Sequence, residues 1–206
     1  MWNNRPMVRL LLPLLLLVAG ALVVALVRDR REREARLLSE LRGSFLHGAP
    51  LGGFASTGGL TDLQAPGGLL RFRLPAAWTG GFHEPKTASF DCGSGRRLSV
   101  DLLTVERRGA GGQALLESLA ATRPEPERSL ETLARGHVLL KYLEARGQNP
   151  NPRVVFCWQL ARSLSSEQAR VAIFSFIVPR EQAGEVFVQA DLGLLDREVR
   201  NATICD

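Results

Sequence analysis

Residues Arg153 to Val178, RVVFCWQLARSLSSEQARVAIFSFIV, decide the predicted fold. Two apolar runs, Arg153 to Ala161 and Ala169 to Val178, are separated by a short polar stretch, which is the pattern of a β-hairpin. Val, Ile and Phe favour strands and dominate both runs, and Pro179 ends the second one. The sequence therefore predicts a long hairpin within an antiparallel sheet.

Strand patterns continue on the amino-terminal side of this hairpin. Leu70, Phe72 and Leu74 alternate with Arg71 and Arg73, which is the period of a strand with one solvent-exposed face. The same reasoning predicts strands at Thr87 to Cys92, Leu98 to Leu102, Ser129 to Ala134 and His137 to Ala145.

Two segments of the domain have helical spacing instead. Gln113 to Thr122 stops before Pro124, and Glu181 to Arg200 closes the domain. Short connections between successive strands favour antiparallel pairing. The predicted fold class over residues 69–206 is therefore α+β: an antiparallel β-sheet of about six or seven strands flanked by helices.

The amino-terminal part of the chain has a different composition. After a tail of residues 1–9, the segment 10–27, LLLPLLLLVAGALVVALV, is 18 residues long and carries no charge. As a helix it would be about 27 Å long, close to the roughly 30 Å hydrocarbon core of a bilayer. We interpret it as one transmembrane helix in contact with the lipid bilayer. An uncleaved signal anchor explains the whole run, and cleavage after Ala19-Gly20-Ala21 is the alternative.

Residues 28–68 are predicted to be a charged juxtamembrane helix followed by a Gly-rich linker that contains at most one short strand. Within the helix, Arg36 is four residues from both Glu32 and Glu40, a spacing that allows ion pairs. Leu38, Leu41 and Phe45 form an apolar stripe, which either docks on the domain or a partner or belongs to a solvated spacer.

The formal net charge of +5 argues against a nucleic-acid-binding domain once it is located along the chain. Up to Arg42 there are eight arginines and four acids, whereas from Gly43 onward 18 basic residues face 17 acidic ones. The excess therefore flanks the hydrophobic segment, while a nucleic-acid binder carries its basic residues on the domain. We expect no nucleic-acid partner.

The predicted domain resembles the PsbP-like fold family, which includes the extrinsic photosystem protein and bacterial exported or lipid-anchored proteins of the LpqN type. The resemblance covers roughly residues 69–204. It implies an α-β-α sandwich that binds or assembles other components at a membrane surface, and it supplies no catalytic residues. The matching stretches are RFRLPAAW (Arg71 to Trp78), Ala134-Arg135-Gly136-His137, VAIFSFIV (Val171 to Val178) and LLDREVRNATI (Leu194 to Ile204).

Topology is contested within the sequence. Five arginines follow the hydrophobic segment and two precede it, which favours a cytoplasmic domain by the positive-inside rule. The signal-like start and the resemblance favour export instead. No cysteine stands at the end of the signal, as it does in lipoprotein relatives, so the helix would be the anchor. We predict a single-pass protein of the bacterial inner membrane with a periplasmic domain.

The three cysteines allow two possibilities, a disulfide bond and a nucleophilic thiol. Cys92, beside a turn, and Cys205, near the carboxyl terminus, are the pair that could form a disulfide, whereas Cys157 lies in a strand and is expected in the core. Cys92 precedes Arg96, a cation that could stabilise a thiolate, but no base is evident. No pair of His or Cys residues has the spacing of a zinc site, so no metal or cofactor is expected.

The function predicted from these features is a non-enzymatic, membrane-anchored envelope protein whose domain binds or scaffolds a protein partner. The alternatives are an exported soluble ligand- or lipid-binding protein and a cysteine hydrolase. Arginines on and beside the first strands form a candidate basic surface, and the solvated face of an amphipathic sheet is the other interpretation. These residues are Arg71, Arg73, Arg96, Arg97, Arg107 and Arg108.

Overall fold

The computed structural model of the chain describes residues 5–47, 59–106, 112–121, 127–147 and 151–205. Residues 5–21 are described as helical backbone without their side chains, so most of the predicted transmembrane segment lies outside the side chains described. Arg107 and Arg108 also lie outside the described residues. Two compact units are present, Met1–Glu40 and Leu41–Asp206.

The first unit consists of helix α1 (Arg5–His47) up to Glu40. Its charged turns form pairs between residues four apart, at 2.9 Å for Arg28 and Glu32 and at 3.3 Å for Arg30 and Glu34. Among the described residues Glu32 therefore pairs with Arg28, whereas the spacing in the sequence also allowed a pair with Arg36. Within the described part of the chain, no helix has an apolar stretch long enough to span a membrane.

Besides the end of α1, the described residues of the second unit form ten strands in two antiparallel sheets and two further α-helices. The larger sheet has the order β3-β4-β5-β9-β8-β7-β6, and the smaller one has the order β1-β2-β10. The strands are β1 (Leu60–Gln64), β2 (Leu70–Pro75), β3 (Thr79–Glu84), β4 (Thr87–Asp91), β5 (Arg97–Glu106), β6 (Arg128–Thr132), β7 (His137–Arg146), β8 (Arg153–Ser163), β9 (Gln168–Pro179) and β10 (Thr203–Ile204). The helices are α2 (Gly112–Ala121) and α3 (Val186–Asn201).

The predicted α+β class, with an antiparallel sheet flanked by helices, is confirmed. The predicted hairpin is the β8–β9 pair near the middle of the large sheet, where Phe156 lies opposite Phe176 and Trp158 opposite Phe174. All four of these aromatic side chains are almost fully buried. Their transfer from water supplies a large share of the driving force for folding.

Each face of the large sheet is covered by a different element. On one face, Leu115, Leu116 and Ala120 of α2 pack against Val138 and Leu140 of β7. On the other face lie α3 and the small sheet. Phe72 of β2 contacts Phe90 and Phe174 edge-on, with ring centroids 6.3 and 5.4 Å apart. The apolar side chains that α3 buries are Val188, Leu192, Leu195 and Val199.

The position of the predicted first strand was wrong. β2 belongs to the small sheet, and β3 forms one edge of the large sheet. A Cβ at Gly80 would stand 2.1 Å from the carbonyl oxygen of Ser89, so glycine there permits close pairing of β3 with β4. The alternation of apolar and charged residues along β2 predicts only that one face of the strand is buried. It does not say to which sheet the strand belongs.

The end of α1 is part of the second unit. Leu41, Phe45 and Leu46 are buried there. The Phe45 ring meets Phe156 and Trp158 edge-on, with centroids 5.2 and 4.9 Å away. For Leu41 and Phe45, docking on the domain is therefore the correct alternative, and the solvated spacer is wrong. The compact unit begins at Leu41, whereas the predicted domain begins at residue 69.

Candidate functional site

An open cleft of about 600 Å³ lies along the small sheet and the end of α3. Cross-strand pairing places polar side chains in two rows: Gln64, Arg71 and Thr203 form one row, and Asp62 and Arg73 form the next. Side chains that alternate along a strand share one face, so both rows lie on the side of β2 opposite its buried leucines. The lining residues are Asp62, Leu63, Gln64, Arg71, Phe72, Arg73, Glu198, Asn201 and Thr203.

A buried carboxylate forms one wall of this cleft. The side chain of Glu198 is only 3% exposed, and its two oxygens accept hydrogen bonds from different guanidinium groups. Nε of Arg73 is 3.0 Å from Oε2, and Nε of Arg197 is 2.9 Å from Oε1. A buried carboxylate needs such partners because the charged form is costly to desolvate. The charge of Glu198 is therefore balanced within the protein.

Arg71 differs from its neighbours in the cleft. Its side chain is exposed, and among the described residues it has no hydrogen-bond or ion-pair partner. The charged lining consists of Arg71, Arg73, Asp62 and Glu198, and of the two arginines only Arg73 has an ion-pair partner among the described residues. A free guanidinium offers five N–H donors in a planar arrangement that matches a carboxylate.

The predicted basic surface is not assembled as one patch from its four described arginines. Arg71 and Arg73 share the cleft, but Arg96 is largely buried and pairs with Asp191. Arg96 also donates to the carbonyl oxygens of Cys92 and Gly93, at 2.8 and 3.1 Å, and lies 4.8 Å from the Phe187 ring. Arg97 is exposed at the start of β5, in the other sheet. Arg96 therefore has a structural role.

The cysteines are free thiols, and the disulfide left open between Cys92 and Cys205 is not formed. Cys92 is buried, and desolvation raises the pKa of its thiol to about 12. Burial also raises the pKa of Cys157, whose Sγ lies 3.9 Å from Oγ of Ser175. The guanidinium of Arg96 donates to backbone carbonyls beside Cys92. The thiol form therefore dominates at neutral pH, which is unfavourable for a nucleophile.

A buried charge network lies on the α3 side of the large sheet, and sequence analysis missed it. Oδ1 of Asp196 accepts hydrogen bonds from Nε1 of Trp158 at 2.9 Å and from Nζ of Lys141 at 3.2 Å. Oδ2 accepts one from Nε of Arg200 at 2.7 Å, and the Arg200 guanidinium also forms a bidentate pair with Glu131 at 2.8 Å. The carboxylate of Asp196 thus connects α3 with two strands.

The same network reaches the end of α1. Nζ of Lys141 donates to the carbonyl oxygen of Phe45 at 3.0 Å, and it lies 5.3 Å from the centroid of the Phe45 ring. The last four carbonyl groups of a helix have no partner within the helix, and a cation there also interacts favourably with the helix dipole. Lys141 therefore caps α1 from inside the domain.

Strand β10 pairs with β2, and a histidine and two arginines of the large sheet bind it and the residue that follows it. The N–H of Ile204 donates to Nε2 of His137 at 3.4 Å, and Nδ1 of His137 lies 3.4 Å from the Ala134 carbonyl oxygen. Arg162 and Arg170 donate to the carbonyl oxygens of Ile204 and Cys205. An imidazole that accepts at Nε2 has to be neutral there, because a proton at Nε2 would face the N–H of Ile204.

Acidification is expected to weaken the fold through His137. Desolvation, together with the charges of Arg162 and Arg135, lowers its pKa below the ordinary value of 6.5, although the bond to Ala134 acts in the opposite direction. The unfolded chain then binds a proton that the folded chain does not, so stability is complete above pH 6.5 and falls below it. Chemical denaturation at pH 7 and pH 5 measures how much free energy of unfolding is lost on acidification. This loss should be smaller for His137→Gln than for the native protein, by at most about 1.4 kcal/mol per pH unit. The exposed His83, changed to Gln, is the control, and an equal loss in both variants would contradict the assignment.

Comparisons with known proteins identify no family. No protein-family model and no curated protein matches the chain. A protein of Bacteroides thetaiotaomicron VPI-5482 is 12% identical, with a TM-score of 0.47, over 70% of this chain and 48% of that one. The Saccharomyces cerevisiae Ran-binding protein Mog1p is 13% identical, with a TM-score of 0.43, over 73% and 97%. The lipid transfer and protein localization domain of human StarD13 is 13% identical, with a TM-score of 0.32, over 59% and 89%. The chain spans about half the length of the Bacteroides protein.

Some residues of the cleft and the network carried a signal in the sequence. Lys141 interrupts the apolar strand VLLKYL at a position that alternation places among buried side chains, and a buried charge requires a partner. The cleft residues Asp62, Gln64 and Asn201 carried no comparable signal. They come from β1 and from the end of α3, which only the folded chain brings together.

Proposed function

We propose that this protein is a single-pass, membrane-tethered envelope protein with a non-catalytic binding domain, and that it is a remote member of the PsbP-like and LpqN-like group. The observation that carries the tether is the surface of α1 just before its charged turns. Leu22, Val23, Val24 and Leu26 are each about 60–70% exposed. Exposed apolar side chains on successive helical turns are unfavourable in water and favourable in lipid.

The domain supports a binding role more than a hydrolytic one. Cys92 and Cys157 are buried thiols with raised pKa values. Among the described residues, no group of His, Cys, Asp and Glu is arranged to hold a metal ion. The cleft beside β1, in contrast, presents to solvent the guanidinium of Arg71, which has no partner among the described residues. This combination favours recognition of another molecule, and we place the domain on the periplasmic side of a bacterial cytoplasmic membrane.

Membrane anchoring is tested by separating lysed cells into pellet and supernatant and extracting the pellet with alkaline carbonate. The native chain is expected to stay in the pellet after carbonate, and a variant with Glu at Val23 and Val24 is expected to appear in the supernatant. A control with Glu at the exposed Ala35, within the charged turns, should remain in the pellet. Recovery of the full-length native chain in the supernatant would overturn the tether. Recovery of a soluble chain that has lost the residues up to about Ala21 would favour the exported soluble alternative.

Topology is tested by fusing alkaline phosphatase or a fluorescent protein after Asp206. Phosphatase folds and is active outside the cytoplasm, where its disulfides form. The proposal expects phosphatase activity without fluorescence. The reverse result would place the domain in the cytoplasm, as the positive-inside count favours.

A further inference from the structure

We propose that the cleft along β1, β2 and the end of α3 binds an acidic segment of a partner protein in extended conformation. In this proposal, Arg71 pairs with a carboxylate of the segment and the free edge of β1 supplies backbone hydrogen bonds. The inference rests on the proposed binding function and names the site and the partner's chemistry.

The arginines around the cleft differ in their pairing. Arg73 and Arg197 share the carboxylate of Glu198, and Arg200 is held by Glu131 and Asp196. These three guanidinium groups are therefore committed to partners inside the protein. Arg71 is exposed and, within the described part of the chain, uncommitted. An anionic group that enters the cleft would meet Arg71 without having to break an existing pair.

Strand β1 lies at an edge of the small sheet. The order β1-β2-β10 leaves β1 with β2 as its one paired neighbour among the described strands. The side chains of β1 are exposed or half-buried, and within the described part of the chain no strand pairs with its outer edge. An edge strand presents a row of N–H and C=O groups to which an extended peptide can add as a further strand.

The polar side chains of the two rows determine which residues of a bound segment fit beside them. A segment that extends the sheet beside β1 places residues two apart over the row of Gln64 and Arg71 and over the row of Asp62 and Arg73. Arg71 selects an acidic side chain in the first row. The exposed carboxylate of Asp62 disfavours a second acid and favours a hydrogen-bond donor such as Thr or Ser. The segment therefore has the pattern acidic–any–Thr or Ser, in either direction.

The edge of β1 also favours a protein segment over a lipid headgroup as the bound molecule. A phosphate could satisfy Arg71, but it would make no use of the backbone groups of β1. An extended segment beside β1 can use both the backbone groups of this strand and the guanidinium of Arg71. An alternating strand uses all of these features together.

The proposal is tested with full-length protein in phosphatidylcholine nanodiscs and a fluorescein-labelled peptide, Ser-Thr-Val-Glu-Val-Thr-Ser, by fluorescence anisotropy. We expect at least tenfold weaker binding when Gln replaces the peptide's Glu, and an equal loss with Arg71→Ala. Arg71→Lys should retain part of the affinity because the charge remains without the bidentate geometry. Arg97→Ala, at an exposed arginine of the large sheet, is the matched control and should bind as the native protein does.

Strand addition is tested with the same peptide methylated at the nitrogens of both Val residues, which removes backbone donors and keeps the charge. Loss of binding is expected, and unchanged binding would overturn strand addition. Equal binding by Arg71→Ala and the native protein would overturn the site. Binding of phosphatidylglycerol vesicles through Arg71, without peptide binding, would show a lipid site and overturn the peptide proposal. The tether is measured separately by recovery of the protein in the nanodisc fraction, so its failure is distinguishable from failure of the cleft.

Discussion

Replacing Asp196 with alanine is expected to lower the free energy of unfolding by about 3–5 kcal/mol, the range found when one partner of a buried ion pair is removed. Its carboxylate joins the ammonium of Lys141, the indole N–H of Trp158 and the guanidinium of Arg200. The Lys141 side chain is only 4% exposed, so in the variant its charge would stay buried without a carboxylate. Urea unfolding of the full-length protein in detergent, followed by tryptophan fluorescence, measures the loss.

Two further variants make this result specific. Asp62→Ala removes an exposed carboxylate and should change the free energy of unfolding by less than about 0.5 kcal/mol. Lys141→Met combined with Asp196→Leu removes both charges, and this double variant is expected to be more stable than Asp196→Ala alone. A loss below about 1 kcal/mol for Asp196→Ala would contradict the buried network.

The same carboxylate makes the domain sensitive to acid. Burial acts to raise the pKa of Asp196, but the hydrogen bonds and charges of Arg200 and Lys141, with the bond from Trp158, outweigh burial and lower the pKa below 3.8. A carboxyl group with a lowered folded-state pKa contributes stability above its unfolded-state value, and that contribution is lost as pH falls through the folded-state value. The contribution of Asp196 should therefore be complete above about pH 3.8 and decline as pH falls further, well under the range in which His137 acts.

The second large effect is expected at the end of α1. Phe45→Ala should lower the free energy of unfolding of the second unit by about 3–5 kcal/mol, as for other buried Phe-to-Ala changes. The ring of Phe45 is buried, meets Phe156 and Trp158 edge-on and covers the ammonium of Lys141. Its removal leaves a cavity beside the largest buried side chains of the sheet. The loss is measured by the same urea titration.

Ser44→Ala is the matched control for this prediction. Ser44 is exposed on the same helical turn, so its replacement should leave stability nearly unchanged. Phe45→Leu should lose less than Phe45→Ala because it fills most of the volume. If Phe45→Ala and Ser44→Ala unfold at the same urea concentration, the end of α1 does not belong to the core of the domain.

These two predictions concern residues that the sequence placed only in part. The apolar stripe of Leu41 and Phe45 was visible in the sequence, and Trp158 stands in a predicted strand. The contact between Phe45 and Trp158 was not predictable, because 112 residues separate them and periodicity describes one element at a time. The ammonium of Lys141 beside this pair depends on the register of β7 against β8, where Lys141 lies opposite Trp158.

The basic surface shows the same limit. Alternation along β2 correctly placed Arg71 and Arg73 on one face, and both line the cleft. Proximity in sequence suggested that Arg96 and Arg97 join them. The turn before β5 instead brings Arg96 to Asp191 of α3, and Arg97 starts a strand of the other sheet. Charge pairing across elements, which no local pattern contains, decided that Arg73 and Arg96 are paired within the protein.

The sequence by itself determined the class of fold, the β8–β9 hairpin and the faces that β2 and the helices bury, because these follow from the two- and 3.6-residue periods of apolar side chains. Only the tertiary structure decided that β2 lies in a second sheet, that β3 is an edge strand and that Asp196 connects Lys141, Trp158 and Arg200. The physical reason is that burial depends on the side chains of one element, whereas strand order and buried charge pairs depend on which elements meet.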